Sequence, residues 1–142
     1  DFILPERHRY LWNFRTLMQY RGLGIYPRLL QFIVSRESST AEQFWIIHAP
    51  ENSSSLRGIR KAGFTYVGEL FVNDGAQPAV KVKGNLDVDT YLDYMGFQRT
   101  NDVAASCWNC SSPFLKKRKL ECCCGEVQKV CTKYNLSVFA AT

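Results

Sequence analysis

Two stretches of the chain hold residue types that can do chemistry. The first is Arg21-Gly22-Leu23-Gly24, which runs straight into an amphipathic segment with Pro27 near its start. Glycine reaches backbone conformations closed to other residues and lets a ligand approach the main chain. The first N–H groups of a helix lack intrahelical partners, and the helix dipole adds partial positive charge there. With Arg21 beside them, these groups suit a phosphate or pyrophosphate. A plain turn with glycines placed for geometry fits the local motif equally well. No Gly-Lys-Ser/Thr follows, so it is not a P-loop. The third glycine of a dinucleotide fingerprint is absent, and no acid ends the next strand.

The second stretch is a cysteine cluster. Cys107-Trp108-Asn109-Cys110 forms a C-x-x-C knuckle, followed by Cys122, Cys123, Cys124 and Cys131. Structural zinc is one reading, with Cys107 and Cys110 as one ligand pair. Cys122 and Cys124 would supply the other, because they share a face if that segment is extended. Disulfides and free thiols are the alternatives. A catalytic thiol is disfavoured, since no histidine lies nearby in sequence.

These residues need a scaffold. Tyr10 to Leu17 is rich in aromatic and β-type residues and predicts a strand. Met18 to Ile25 is the turn. Pro27 suits a helix's first turn, and Leu29, Leu30, Phe32 and Ile33 share one helical face, with fraying near Ser38-Ser39-Thr40. Phe44 to His48 is a continuous apolar run, a buried strand. Ser54 to Ala62 predicts a short basic helix closed by Gly63. Phe64 to Val72 alternates as a strand, Asn73-Asp74-Gly75 signals a hairpin, and Ala79 to Lys83 returns. Val88 to Met95 predicts a helix capped by Asp87 and ended by Gly96. The expectation is an α/β (α+β) fold: a mixed sheet flanked by helices over residues 1–100, with a cysteine-rich tail over 101–142.

Asn52-Ser53-Ser54-Ser55 follows the buried strand and leads into the second helix, and Gly63-Phe64 follows it. Together with the glycine turn, this pair of segments resembles the GNAT superfamily of acyl-CoA-dependent N-acyltransferases. The family's pyrophosphate loop reads Arg/Gln-x-x-Gly-x-Gly/Ala, and Arg21 to Tyr26 occupies it. Its later segment reads Asn-x-x-Ser/Ala, a helix, then Gly-Phe, matched by Asn52, Ser55, Gly63 and Phe64. The resemblance covers roughly residues 10–83. It implies a partial GNAT-like sheet, with acetyl-CoA as the expected co-substrate and a primary amine as acceptor. The amides of Arg21, Gly22, Leu23, Gly24, Ile25 and Tyr26 would hold the pyrophosphate. Backbone groups of Leu17 and Met18 would pair with the pantetheine arm, and the Met18 N–H would polarise the thioester carbonyl. Asn52 would bond that arm or stabilise the loop, and Ser55 would flank the cofactor. The first strand and the next would splay apart around the thioester.

Several residues depart from the family's pattern. Tyr26 stands where the loop wants a small residue, so its ring must turn away from the phosphates. Ile59 stands where the family often carries a tyrosine acid. Glu6, His8 and Tyr10 are polar groups near the first strand, each expected at the surface. His48 is expected to be a satisfied core histidine. The family's leading strands are missing, and the chain opens on Asp1-Phe2-Ile3 without Met. Either a segment is missing, a second copy completes the sheet, or the tail fills the gap; the open edge of the first strand favours a missing segment or a homo-oligomer.

The composition is globular: 46% hydrophobic and 22% charged, with no membrane-length apolar run. The net charge of +5 favours an anionic ligand. Part of it sits in Lys116-Lys117-Arg118-Lys119, better read as a solvated loop than as a nucleic-acid contact. Cysteine-free for its first three quarters, the chain fits the cytoplasm. The leading expectation is an acetyltransferase. A degenerate module that binds CoA or a partner is the alternative, and a zinc-stabilised nucleic-acid binder is a third.

Overall fold

The computed structural model describes residues 3–49, 52–73, 77–83, 89–101 and 136–142. Among these the fold is mixed α/β. The elements in chain order are β1 (His8–Tyr10), α1 (Ile25–Glu37), β2 (Gln43–His48), α2 (Ser53–Lys61), β3 (Thr65–Val72), β4 (Pro78–Val82), α3 (Asp89–Tyr94), β5 (Gln98–Arg99) and β6 (Leu136–Ala141). A single 3-10 turn, Met18–Tyr20, precedes α1. The strands form one sheet in the order β1-β2-β6-β3-β4-β5. The pairs β1–β2 and β4–β5 are parallel, and the others are antiparallel.

Alternation along the central strands divides the core into two layers. Phe44 and Ile46 of β2 and Phe139 of β6 face α1 and α2, packing with Leu30, Ile59 and Phe64. Trp45 and Val138 face the other way, packing with Val67, Val80, and Leu92 and Met95 at α3. With both faces covered, β2 reads as an unbroken apolar run rather than an alternating one. Ile59 is fully buried in the first layer. Its position is therefore a packing position.

The predicted helices and the strands at 43–48, 65–72 and 78–82 all form, within a residue or two of their expected ends. Gly63 and Gly96 follow α2 and α3 with φ of 94° and 80°, as residues beyond a helix C-terminus do. Val72 pairs with Pro78, and the Asn73 N–H donates to the Gln77 carbonyl at 2.9 Å. Asp74 and Gly75 of the expected turn, and the expected cap Asp87, lie outside the described residues.

Two expectations are corrected. The first strand does not run from Tyr10 to Leu17. It ends at Tyr10, and its last bond to β2 is from the Leu11 N–H to the Trp45 carbonyl, 2.9 Å. Asn13, at φ 60°, then takes a left-handed conformation that no strand accommodates. The aromatic composition of this segment is thus not a strand signal: Trp12 is 68% exposed, while Phe14 packs into the α1–α2 layer. The second correction concerns Leu136–Ala141, assigned by composition to the tail. This segment lies between β2 and β3 in the centre of the sheet. Its Val138 and Ala140 enter one core layer and its Phe139 the other. Where β6 passes β3, a bulge sits between Tyr66 and Gly68. Gly68 is required there, because a Cβ would lie 2.2 Å from the Lys81 carbonyl oxygen.

Candidate functional site

The glycine turn takes the form its sequence asks for. Gly22 and Gly24 have φ of 79° and 71°, and Gly24 is the N-cap of α1 without any side-chain cap. The first bond into the helix runs from the Arg28 N–H to the Gly24 carbonyl, 3.4 Å. The amides of Gly22, Leu23, Gly24, Ile25 and Tyr26 have no acceptor among the described residues. The Arg21 amide differs from expectation, because it donates to the Met18 carbonyl at 3.2 Å and closes the 3-10 turn. The Arg21 side chain donates from Nε to the Thr16 carbonyl at 3.1 Å, tying the turn to the segment before it.

The second helix start is built from β2. The Asn52 Oδ1 accepts from the Ser55 N–H at 3.1 Å and from the Ser54 hydroxyl at 3.0 Å. Asn52 is therefore the N-cap of α2. The buried His48 donates from Nε2 to the Asn52 carbonyl at 2.8 Å, joining the end of β2 to the start of α2. A carbonyl only accepts, so His48 carries its proton on Nε2. Its Nδ1 is buried without a partner among the described residues, so the ring is only half satisfied.

Between these two helix starts lies a cavity of about 510 Å³. Its wall includes Gly22, Gly24, Ile25 and Tyr26 from the turn, Phe14 and Thr16 from the preceding segment, and Asn52 and Ser55 from α2. Four cations, Arg15, Arg21, Arg57 and Lys61, also line it, and among the described residues no aspartate or glutamate does. None of the four makes an ion pair among the described residues. Ser54, Arg57 and Lys61 reach the cavity together because positions i, i+3 and i+7 share one helix face. Arg15, Ser54, Arg57 and Lys61 were not singled out from sequence. The signal available was the basic helix after Asn52; nothing in sequence says which way it faces.

Tyr26, at the end of the turn, packs on the second helix. The ring lies across Gly58 of α2, where an added Cβ would sit 2.4 Å from the ring Cδ1. It also meets Phe14 at 5.5 Å between centroids. Burial pushes the phenol's pKa up, and the Ser55 hydroxyl beside it pulls the other way. A large residue at the end of the turn is thus accommodated by an absent one on the facing helix.

Other predicted site residues fall elsewhere. Met18 is 79% exposed and lines neither this cavity nor the smaller one beside it. Leu17 lines only the smaller one, and Leu23 neither. The carbonyls of Leu17 and Met18 accept the Tyr20 and Arg21 N–H groups, so an arm pairing here has only N–H groups to use. β1 and β2 do part after Leu11, but no residue of β2 lines the cavity. His8, expected at the surface, is buried on the opposite face of the sheet, and Tyr10 is half-buried there. Trp45 donates from Nε1 to the His8 Nδ1 at 2.9 Å, and Tyr91 meets the imidazole edge-on at 4.4 Å. Burial holds the His8 pKa below its ordinary value, opposed by Glu42.

The candidate zinc ligands Cys107, Cys110, Cys122 and Cys124 lie outside the described residues. Among those described, no cluster of His, Cys, Asp and Glu can hold a metal. No described helix is long and apolar enough to cross a membrane. Compared with known proteins, the chain matches no family model, no curated protein and no solved structure.

Proposed function

We propose that the chain binds the diphosphate of an acyl-CoA and serves acyl transfer to a primary amine, in the manner of the GNAT superfamily it resembles. One observation carries this reading: the turn whose amides have no acceptor among the described residues lines a cavity with four cations, and among those residues it holds no acid and the cations make no ion pair. A diphosphate there gains several charge-assisted hydrogen bonds at once. Protein acceptors do not compete for those amides, and fixed donors need no reorganisation on binding. The parting of β1 from β2 after Leu11 supports the expected splay beside the thioester.

In the reaction a neutral amine nitrogen attacks the thioester carbonyl carbon. The C–N bond forms, the C–S bond breaks, and CoA leaves as a thiolate. The amine proton passes to water or a base, and the thiolate takes up a proton. This chain's part is to fix the phosphates, so that two bound substrates meet in line. The Met18 N–H, which has no acceptor among the described residues, is the candidate oxyanion donor from the flank of the turn.

A second reading, a CoA-binding module without turnover, is favoured by one specific observation. Among the described residues the cavity wall contains no carboxylate and no imidazole, and Ile59 is packed in the core. Calorimetry with CoA tests the shared binding claim, and absence of binding at millimolar CoA overturns both readings. Thiol release from acetyl-CoA and longer acyl-CoAs across a panel of primary amines then separates them. Turnover supports the transferase, and binding without turnover leaves the module.

A further inference from the structure

A second cavity, about 320 Å³, adjoins the first. The two share Phe14, Arg15, Thr16, Tyr20, Ile25 and Tyr26 in their walls, so they lie side by side on one surface. The chemistry changes along the way. The first cavity adds the cations Arg21, Arg57 and Lys61, whereas the second adds Asn13, Leu17 and Leu29. Leu17 is 55% exposed, and Ile25 and Leu29 are each 42% exposed. Ile25 and Leu29 stand one turn apart on α1, while Leu30 on the same helix is fully buried. The helix is therefore apolar on two sides, with the sheet covering only one of them.

Apolar surface left in water beside a phosphate-sized cationic cavity calls for an occupant with both characters. We infer that the second cavity is the channel for a long aliphatic acyl chain, so that the preferred thioester is a medium- or long-chain acyl-CoA rather than acetyl-CoA. The inference rests on the diphosphate site proposed above. The pantetheine arm joins the diphosphate to the acyl group, and an acetyl group at its end covers less of Leu17, Ile25 and Leu29 than a longer chain does. A chain of eight or more carbons on that arm covers them while the CoA phosphates stay with the cations. A second copy of the protein seated on the same face is the competing occupant, and it would make no use of the cationic cavity.

The test is calorimetry on the full chain with CoA, acetyl-CoA and octanoyl-CoA, repeated with Leu29→Glu and Leu29→Ala. Burial of a methylene strengthens binding roughly fourfold when complete and about twofold when half complete. Octanoyl-CoA is therefore expected to bind on the order of fiftyfold tighter than acetyl-CoA. Leu29→Glu should remove that gradient while leaving affinity for CoA itself within about twofold, and Leu29→Ala should reduce it partially. If octanoyl- and acetyl-CoA bind within twofold of each other, this inference is overturned and the acyltransferase reading stands. A concentration-dependent dimer abolished by Leu29→Glu, with no chain-length gradient, overturns it in favour of the second copy. If CoA does not bind at all, both readings fall together.

Discussion

The two ends of this molecule treat their charged and apolar groups in opposite ways. At the β3–β4–α3 end, Lys83 pairs with Glu69 and Arg99 with Asp93, and Leu92, Met95 and Phe97 are buried. In the stretch from Trp12 to Phe32, Arg15 and Arg21 make no ion pair among the described residues, and the five turn amides from Gly22 to Tyr26 have no acceptor there. Eight of the ten large hydrophobic residues exposed among the described ones also lie there. A fold satisfies its own groups where nothing else is to bind. Where it leaves cations, amides and apolar side chains unsatisfied together, a ligand with phosphates and an apolar part is the economical explanation.

Charge removal should separate the two ends most sharply. Arg57→Ala is expected to weaken CoA binding by about 1.5–3 kcal/mol, the scale of a charge-assisted hydrogen bond, without lowering the melting temperature. Arg99→Ala removes the same charge from the paired end and should leave CoA affinity unchanged, with stability within about 0.5 kcal/mol. Equal losses from both variants in parallel titrations would erase the distinction.

Packing between α1 and α2 comes next. Gly58→Ala drives a methyl into the Tyr26 ring, so it should cost about 1–3 kcal/mol in urea denaturation and weaken CoA binding as the two helix starts move apart. Tyr26→Ala in the Gly58→Ala background should return part of both losses. A double variant no better than the single one would disprove the fit of ring to glycine.

A smaller effect is expected from the α2 cap. Asn52→Ala leaves the Ser55 amide without its acceptor, and about 1 kcal/mol of stability should be lost in thermal melts. Removal of this cap should lower CoA affinity less than Arg57→Ala does, because Asn52 holds the helix and Arg57 holds the charge.

The smallest effect belongs to the closed face, at His8. Burial lowers the folded-state pKa of His8 below 6.5, so the unfolded chain binds the proton more readily. The contribution is complete above pH 6.5 and is lost as pH falls below it, toward the folded pKa. His8→Gln should flatten the slope of melting temperature against pH between about 7 and 5. An unchanged slope would mean that other groups carry the acid sensitivity. CoA binding should not follow this titration, since His8 is on the opposite face from the cavity.

Much of the scaffold is legible locally. The β2 run, the start of α2 and the glycine bend each depend on interactions within a few residues, which composition and spacing report well. The stretch 11–17 was misleading because aromatic residues favour strands only where a sheet surface receives them. Here Asn13 bends the chain away after Leu11, and no partner strand follows it. His8 was equally opaque: its burial depends on Trp45 and Tyr91, which are distant in sequence.

The site divides along the same line. Sequence alone determined that Gly22 and Gly24 turn the chain, that α1 begins with bare amides, and that the serines after Asn52 start a basic helix, because each is a contest between neighbouring backbone and side-chain groups. Only the tertiary structure decided that Arg57 and Lys61 face the same cavity as Arg15 and Arg21, that Tyr26 rests on Gly58, and that Leu136–Ala141 is a central strand. Those outcomes depend on how two core layers pack across one sheet, and packing joins residues by shape and burial rather than by their separation along the chain.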